Sequence, residues 1–338
     1  MENKLKITSW NVEWLDKIID STDSKKQKRM AAIKQEILEI DADVFCLLEG
    51  VKGEEKIDRF CSDILENKYV AVKSTTSDYK IKGRQWIWFI VKQNLIGSAS
   101  LLPTKIYDEF AGASWKVNYW GDFESTKHSH YRHPQILVLD WNNTRLEFIG
   151  LHTKSKFVMG GQNAWKKGGA KKEEFIKKAI KARIKMTTEV ANVRAYIDKK
   201  FDQVSNPAIF VMGDLNDGPG KEYFEKEFLF FDLLSNLQGD VFSAKKYLNH
   251  ALFDFDEDLR WTCHFKDFID KDRNPHILLD HILFTQCLVN KSLPVVIESN
   301  SGFVEHEIHD LINASNPKYA HTSDHKPVSI VVKELKID

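Results

Sequence analysis

The segment AIFVMGDLND, residues 208–217, shows how the chain builds a strand and where it places reactive groups. Ala208–Met212 is a short, continuously apolar run of the type that forms a buried strand. Gly213 ends this run, and the polar residues Asp214 and Asn216 follow at once. Ionised side chains beside a core are costly unless they are paired or bind a metal. This strand end is therefore a candidate site.

The same arrangement recurs at four other apolar runs. The runs ITSW, VFCLL, FIGL and ILL lead into Asn11 (with Glu13), Glu49, His152 and Asp280. A single Asp or Asn after a strand is usually a turn former or a helix cap. Glu is a poor turn residue, however, and five such ends together are hard to assign to turns. Because sites in α/β folds gather at strand ends, we expect a site here.

A further polar element, TSDHKPV at residues 322–328, precedes the last apolar run. Its Asp324-His325 pair is suited to binding a metal or to placing an imidazole beside a phosphate. A surface turn is an equally good interpretation of this element alone, since Ser, Asp and Pro are common turn residues.

Apolar runs and amphipathic segments alternate along the chain, which predicts two sheets covered by helices. The predicted strands are Leu5–Trp10, Asp43–Leu48, Trp86–Val91, Ile136–Trp141, Arg145–Leu151, Ala208–Met212, Leu279–Phe284, Val295–Glu298 and Val328–Val332. A helix is predicted over Lys25–Ile40, with Ser24 as its cap. A second is predicted over Glu173–Ile197, with an apolar stripe formed by Ile176, Ile180, Ile184, Thr187 and Val190.

The chain has no Gly/Ser-rich or Pro-rich linker. We therefore predict a single domain over residues 1–338, with a basic loop-helix segment at about 154–200.

The charge of the chain is unevenly distributed. Its 338 residues contain 49 Lys and Arg against 49 Asp and Glu, which excludes a uniformly basic nucleic-acid coat. Residues 154–185 nevertheless carry 11 basic and 2 acidic residues, a balance of +9, whereas residues 214–310 carry 9 basic and 19 acidic residues. A solvated helix face is one explanation of the basic segment. Because it follows His152 directly, a second explanation is a polyanionic substrate, bound by Lys154, Lys166 and Lys167, with Trp165 stacking on a base.

Several other classes of protein are disfavoured. The first residues contain no apolar run of the seven or so that a secretory signal needs, and no run approaches the roughly 18 of a membrane span. Four cysteines occur without CxxC or zinc-ligand spacing, and Cys46 lies in an apolar run, so we expect free thiols and a cytoplasmic protein. The motifs HExxH, GxSxG and GxxxxGK[ST] are missing. Carboxylate and amide oxygens instead suit Mg²⁺ or Mn²⁺, which favours metal-assisted hydrolysis.

Six motifs in order, SWNVEW, LLEG, GLHTKS, MGDLND, LLDHILF and TSDHKPVS, resemble the endonuclease/exonuclease/phosphatase superfamily. They run from residue 9 to residue 329. This superfamily includes deoxyribonuclease-I-like and exonuclease-III-like enzymes. The resemblance implies a four-layered α/β sandwich, in which two packed mixed β-sheets are flanked by helices. It also implies cleavage of phosphoester bonds with a divalent metal, Mg²⁺ or Mn²⁺.

The resemblance assigns roles to metal-binding and water-activating residues by their positions. Glu49 matches the principal metal-binding Glu, Asn11 matches the Asn beside it, and Asp324 matches a further acidic position near the metal. Asp214 and Asn216 match the pair that orients or activates water.

Four further positions match the family pattern. His325 matches the phosphate-contacting His, and Asp280 the Asp that pairs with it. His152 takes a position held by His in some members and by Tyr in others. Arg132, in the tripeptide RHP, resembles an Arg-x-Pro element that contacts substrate phosphate.

The chain departs from the family pattern at three places. Leu48 replaces a frequent Gln, and Glu13 stands where some members have Asp, which puts a ligand role for Glu13 in doubt. The sequence LLDH at 278–281 replaces the Trp-x-Asp-Arg of inositol polyphosphate 5-phosphatases, which argues against that branch.

Three functions follow as hypotheses. The first is a metal-dependent nuclease that acts on DNA or RNA, and the second is a phosphoesterase of a lipid or small molecule, similar to sphingomyelinases. The third is a non-catalytic nucleic-acid-binding protein on this scaffold. The intact polar set argues against the third, and an exposed apolar hairpin would have favoured the second.

Overall fold

Two β-sheets packed face to face form the centre of the protein in the computed structural model, which describes residues 3–119, 123–228, 230 and 232–335. The strands are β1 Lys4–Asn11, β2 Val44–Gly50, β3 Tyr69–Ala71, β4 Trp86–Lys92, β5 Ala99–Leu101, β6 Trp115–Asn118, β7 Ser125–His128, β8 Gln135–Trp141, β9 Thr144–His152, β10 Ala208–Asp214, β11 Leu248–His250, β12 Cys263–His264, β13 His276–Ile277, β14 Asp280–Thr285, β15 Val295–Ile297, β16 Phe303–Val304 and β17 Val328–Glu334. The α-helices are α1 Ser24–Ile40, α2 Glu54–Arg59, α3 Thr104–Ala111, α4 Gly161–Lys167, α5 Gly169–Gln203, α6 Tyr223–Glu227, α7 Leu233–Gln238 and α8 His306–Ala314.

Both large sheets are mixed. The first has the strand order β15-β17-β1-β2-β4-β3, with β16 also paired to β17, and the second has the order β11-β14-β10-β9-β8-β5. The pairs β1/β2 and β9/β10 are parallel, and the other pairs in these sheets are antiparallel. The predicted pair of packed mixed sheets is confirmed.

The strands β2 and β10 are buried along their whole length, which explains why their sequences are apolar without alternation. One apolar cluster fills the space between the sheets and also packs α1 on the outside of the first sheet through Ile33 and Ile37. A second cluster packs α5 on the outer face of the second sheet, where Val190 and Val193 join strand residues such as Val211. Helix, sheet, sheet and helix form the four layers that the family resemblance implied.

The two long helices differ in detail from the sequence prediction. Asp23, rather than Ser24, caps α1, since its carboxylate accepts the backbone N–H groups of Lys25 and Lys26 and Ser24 is already helical. The prediction of Ser24 as the cap was wrong. Asp and Ser are both good caps, and the local sequence does not fix at which of the two residues the helix begins.

Helix α5 begins at Gly169, four residues before the predicted start, and ends at Gln203. In its first half Phe175 and Ala179 are buried, whereas the predicted stripe residues Ile176 and Ile180 are only half-buried. These turns pack on a third apolar cluster that contains Phe224, so the buried face is rotated by one residue.

The cysteines and helices agree with two smaller expectations. Cys46, Cys61, Cys263 and Cys287 are free and buried. Among the helices that the structure describes, none has the length and apolar character needed to cross a membrane. The single domain over residues 1–338 stays a prediction.

Candidate active site

The strand ends that the sequence singles out meet at one edge of the two sheets. In the second sheet Asp214 at the end of β10 lies opposite His152 of β9 and opposite Asp280 of β14. Gly213 makes this convergence possible, because its φ is +144° and a Cβ there would lie 1.9 Å from the carbonyl oxygen of Leu151. The glycine of GDLN is therefore required by the close approach of two strands.

A hydrogen bond joins the two sheets at this edge. The side-chain amide of Asn11, at the end of β1, donates to Oδ2 of Asp214 over 3.1 Å. The other carboxylate oxygen of Asp214 accepts the backbone N–H of Asn216 at 2.8 Å. Burial raises the pKa of Asp214 to about 7, although the nearby His325 opposes the rise. Asp214 is thus a fixed carboxylate that exchanges a proton near neutral pH.

His325 and Asp280 form an ion pair beside Asp214. Nδ1 of His325 lies 2.7 Å from Oδ2 of Asp280, and its Nε2 lies 3.9 Å from Oδ2 of Asp214. Burial alone would lower the pKa of His325, but Asp280 and the other neighbouring groups outweigh burial and raise this pKa well above its ordinary value. Oδ1 of Asp280 is buried and has no hydrogen-bond partner among the described residues. The imidazole is therefore held as a cation.

The imidazole of His152, unlike that of His325, is neutral. Its Nε2 lies 3.4 Å from Oδ2 of Asp214. Burial, with help from the positive charges of Arg132 and His325, lowers its pKa well below the ordinary value. Its Nδ1 is buried and finds no partner in the described part of the chain. A neutral and a charged imidazole thus flank the same carboxylate, and we call Asn11, Glu49, His152, Asp214, Asn216, Asp280 and His325 the strand-end cluster.

Glu49 and two further carboxylates form the open side of this cluster. Glu49 is buried, and its Oε2 accepts the backbone N–H of Trp14 at 3.1 Å. Burial and the neighbouring Asp324 raise the pKa of Glu13, with a smaller contribution from Glu49. Asp324 itself is 74% exposed. Three acidic groups therefore share one region, where a divalent cation would relieve their repulsion.

The backbone at this site is strained. Glu13, Trp14, Glu49 and Asn216 all have φ between 48° and 57°, in the left-handed region that residues with a Cβ rarely adopt. Such conformations cost on the order of 1–3 kcal/mol each and cluster at functional sites. A strained backbone at both Glu49 and Asn216 supports a role for this edge other than stability.

The donor atoms fit a hard cation. In the described residues, two groups of three His, Cys, Asp or Glu side chains bring ligand atoms within 4.8 Å of one another, and neither Glu49 nor Asp324 belongs to such a group. Binding of a metal by the oxygens of Glu49, Asn11 and Asp324 stays a prediction. Mg²⁺ is commonly bound by one or two carboxylates with water completing its shell, so this donor set suits it.

A family model matches residues 8–325 and is described as the Endonuclease/Exonuclease/phosphatase family. The chain belongs to this family. Two solved structures share the fold: truncated TDP2 from Caenorhabditis elegans (12% identity, 98% of each chain covered, TM-score 0.52) and D. rerio TDP2 complexed with single strand DNA product (13% identity, 98% and 99% covered, TM-score 0.51). A family protein from Bacteroides thetaiotaomicron is similar as well (12% identity, 99% and 100% covered, TM-score 0.50). No curated protein matches the sequence.

The candidate phosphate contact of the family, Arg132, reaches the strand-end cluster. Its Nη1 donates to the carbonyl of Thr153 at 3.1 Å, and its Nη2 donates to Gln85. Its charge interacts favourably with the carboxylates of Glu49 and Asp214. Lys154 follows Thr153 and is half-buried, with its ammonium on the carbonyl of Ser155 at 2.8 Å. The structure therefore brings Arg132 and Lys154 to the edge of the site.

The other three predicted substrate-binding residues lie on α4. The ring of Trp165 packs in the third apolar cluster, with ring centroids 5.4 Å from Tyr223 and 6.1 Å from Phe175. The ammonium of Lys172 lies 3.9 Å from the centre of the Trp165 ring. Lys166 and Lys167 are exposed. Trp165 thus contributes to packing in this structure, and its binding of substrate stays a prediction.

Three residues near the site carry no signal in the sequence. Arg29 of α1 donates to the carbonyls of Val12, Glu13, His321 and Thr322, and so ties the loop after β1 to the loop that holds His325. Cys263 pairs with His325 through an isolated β-bridge. Lys156 belongs to a second buried cluster, which we call the lysine network: Lys156, Arg183, Asp217, Glu222, Glu225 and Arg273. Their importance depends on tertiary contacts between distant segments.

Proposed function

We propose that this protein is a divalent-metal-dependent phosphodiester hydrolase that cleaves DNA or RNA by in-line attack of water. The observation that carries the proposal is the buried Asp214, held between a neutral His152 and the His325–Asp280 ion pair. A base, a cationic donor and a region of acidic oxygens within one strand edge are the groups that hydrolysis of a phosphodiester needs.

Asp214 is the group that takes the proton of the attacking water. A pKa of about 7 lets it be ionised in part of the molecules at neutral pH and still accept a proton in the transition state. Asn11 and the backbone of Asn216 fix the direction of its carboxylate. The side chain of Asn216, which donates weakly to the carbonyl of Thr153 at 3.3 Å, helps to position the water.

His325 stabilises the negative charge that develops on the phosphate. As an imidazolium held by Asp280, it donates from Nε2 to a non-bridging oxygen. Arg132, whose charge interacts favourably with Glu49 and Asp214, adds a second positive charge near the site. His152 is suited to holding a phosphate oxygen by a hydrogen bond from Nε2, because its lowered pKa makes it a poor source of a proton for the leaving group.

Glu49, with Asn11 and Asp324, would hold Mg²⁺ or Mn²⁺. When bound there, the cation neutralises charge on the phosphate. Burial, together with the charges of Asp324 and Glu49, raises the pKa of Glu13, which therefore belongs to the same acidic region.

A nucleic acid is the favoured substrate because of the basic segment beside the site. Lysines of this segment line a surface cavity next to Lys154, where they would bind a polyanion. The similar D. rerio TDP2 was solved with a single-stranded DNA product. A phosphoesterase acting on a lipid or small molecule is the alternative, and a cytoplasmic location stays a prediction.

A panel of substrates tests the proposal. Purified protein is incubated with supercoiled plasmid, single-stranded DNA, RNA and sphingomyelin in Mg²⁺, Mn²⁺ or EDTA, with Asp214→Asn as the control. We expect metal-dependent cleavage of at least one nucleic acid that the variant lacks. Cleavage of sphingomyelin alone would overturn the assignment of a nuclease.

A further inference from the structure

An apolar cavity of about 310 Å³ opens beside the strand-end cluster. Asn216 and Asp324 line one side of it, so whatever occupies the cavity lies next to the phosphate in the proposed reaction. Its other walls come from the loop after β9, from α5 and α6, and from the loops that flank β12 and β13. We propose that this cavity binds a nucleobase next to the scissile phosphate of a single-stranded nucleic acid, an inference that rests on the proposed hydrolase function.

The walls of the cavity present aromatic rings to a ligand. Phe157 is 66% exposed and Phe265 is 47% exposed, and both line the cavity together with the half-buried Phe268. Exposed phenylalanines around a concavity mark a binding surface. Base–aromatic stacking tolerates every base, because each base has a π face. Two exposed rings at the edge of a cavity are therefore suited to a planar ring.

Charged groups in the cavity are paired with one another. Arg273 lies 3.2 Å from Glu222 and 3.8 Å from Asp267, and Arg183 also pairs with Glu222. These polar groups would meet the hydrogen-bonding edge of a base. An acyl chain would instead remove these ion pairs from water without offering them a hydrogen bond, which is costly. The mixture of apolar walls and paired charges favours a base over a lipid.

A second cavity, of about 380 Å³, shares Phe157 and Val158 with the first. Among the described residues its lining carries four lysines and no acidic side chain, namely Lys154, Lys178, Lys181 and Lys185, of which Lys178 pairs with Glu174 and Lys185 with Glu189. A cationic surface on one side of Phe157 and an aromatic cavity on the other reproduce the two needs of a single strand, a track for phosphates and a platform for bases. In a duplex the base would first have to leave its stack, which disfavours a double-stranded substrate.

Oligonucleotides with and without the base in question test the proposal. The cleavage position is first mapped on a fluorescent single-stranded DNA, and a tetrahydrofuran abasic residue is then placed on either side of that position. We expect Phe265→Ala and Phe157→Ala each to lower kcat/KM about tenfold on the intact strand. On one of the two abasic strands, kcat/KM of the wild type should already be about tenfold lower than on the intact strand. The two substitutions should then lower it little further. Phe242→Ala is the matched control, since Phe242 is exposed and does not line the cavity.

Several results would overturn the proposal. Faster cleavage of the abasic strand would show that the cavity takes a bare sugar, and equal losses on intact and abasic strands would show that the rings do not contact a base. Loss of sphingomyelin hydrolysis in the variants, with oligonucleotide cleavage unchanged, would assign the cavity to a lipid. A binding assay separates the proposed base site from the proposed hydrolase function. Fluorescence anisotropy measures the binding of a labelled oligothymidylate to the Asp214→Asn protein, with and without a further substitution. If Phe265→Ala weakens this binding about tenfold, the base site stands even where turnover is not detected, and unchanged binding refutes it.

Discussion

Two clusters of charge contain carboxylates only three residues apart, Asp214 at the end of β10 and Asp217 in the loop after it, and they differ in how their carboxylates are paired. In the lysine network Lys156 pairs with each of the three carboxylates, Asp217, Glu222 and Glu225. Arg183 and Arg273 both pair with Glu222 as well. In the strand-end cluster Asp214 has only hydrogen bonds and imidazoles around it, and Asp280 and His152 each keep a buried atom without a partner among the described residues.

This difference separates a structural role from a chemical one. Paired carboxylates hold the loops after β9 and β10 together, because Lys156 lies on the first loop and Asp217 on the second. Burial raises the pKa of both carboxylates, to about 7 for Asp214 beside the His325 imidazolium and to about 6 for Asp217 against Lys156, so the pairing, and not the pKa, separates them. Incomplete pairing is costly to the fold and is retained where chemistry needs it.

The largest expected effect is on Glu49, where the open side of the strand-end cluster would bind the metal. Glu49→Gln keeps the shape of the side chain and removes its charge, so we expect kcat/KM to fall about 10³-fold, since bound metal supplies several kcal/mol. The Mg²⁺ concentration for half-maximal rate should rise. Glu147→Gln is the control, because Glu147 is a buried carboxylate paired with Lys200. A wild-type response to Mg²⁺ in Glu49→Gln would contradict the metal assignment.

The next largest effect on turnover concerns the imidazolium of His325. His325→Gln should lower kcat by about 10²–10³-fold, because the variant lacks the positive donor for the phosphate. A steady-state assay on single-stranded DNA measures this loss. His309→Gln provides a matched comparison, since His309 is buried against Glu36 at 2.8 Å but lies on α8. Equal losses in the two variants would mean that His325 acts only through stability.

Breaking the lysine network should affect stability more than turnover. Lys156→Met removes a cation from two buried carboxylates, Asp217 and Glu225, and from the half-buried Glu222, and loss of one partner of a buried pair costs about 3–5 kcal/mol. Urea unfolding would measure the change in the free energy of unfolding. The exposed Lys178, paired with Glu174 at 2.6 Å, gives the control Lys178→Met, for which we expect less than about 1 kcal/mol. Similar values for both variants would refute the structural role of the network.

The smallest effect concerns a buried histidine outside both clusters. Burial lowers the pKa of His130 to about 3, and its Nε2 pairs with Asn192 at 2.8 Å. The unfolded chain binds a proton near pH 6.5 and the folded chain does not, so stability is full above pH 6.5 and falls as the pH falls towards 3. At pH 5 the loss from His130 is about 2 kcal/mol. Urea unfolding at pH 7.5 and pH 5 checks this, and His130→Gln should reduce the difference; an unchanged difference would contradict it.

Local sequence was enough to predict the frame of the molecule. The apolar run at 208–212 and its polar end, repeated at four other strands, predicted buried strands whose ends gather. The structure brings Asn11, His152, Asp214 and Asp280 together as these patterns indicated. Their roles in catalysis stay predictions.

Other features depended on contacts between distant segments. Lys156 belongs to a segment whose surplus charge resembles a solvated face, yet its side chain is only 11% exposed and its ammonium contacts three carboxylates of a later segment. Trp165, interleaved with lysines, resembled a stacking platform but packs on Phe175 and Tyr223. Burial of a charged or aromatic side chain is decided by its tertiary partners, which a local pattern does not reveal.

The most direct test of the account compares one isosteric change in each cluster, Asp214→Asn and Asp217→Asn. Both kcat on single-stranded DNA in Mg²⁺ and the free energy of unfolding in urea are measured for each variant. The account predicts that Asp214→Asn loses about 10²–10³-fold in kcat with its stability kept, and that Asp217→Asn loses stability while its kcat stays within about tenfold of the wild type. Near-normal kcat in Asp214→Asn, or a larger loss of kcat in Asp217→Asn, would contradict it.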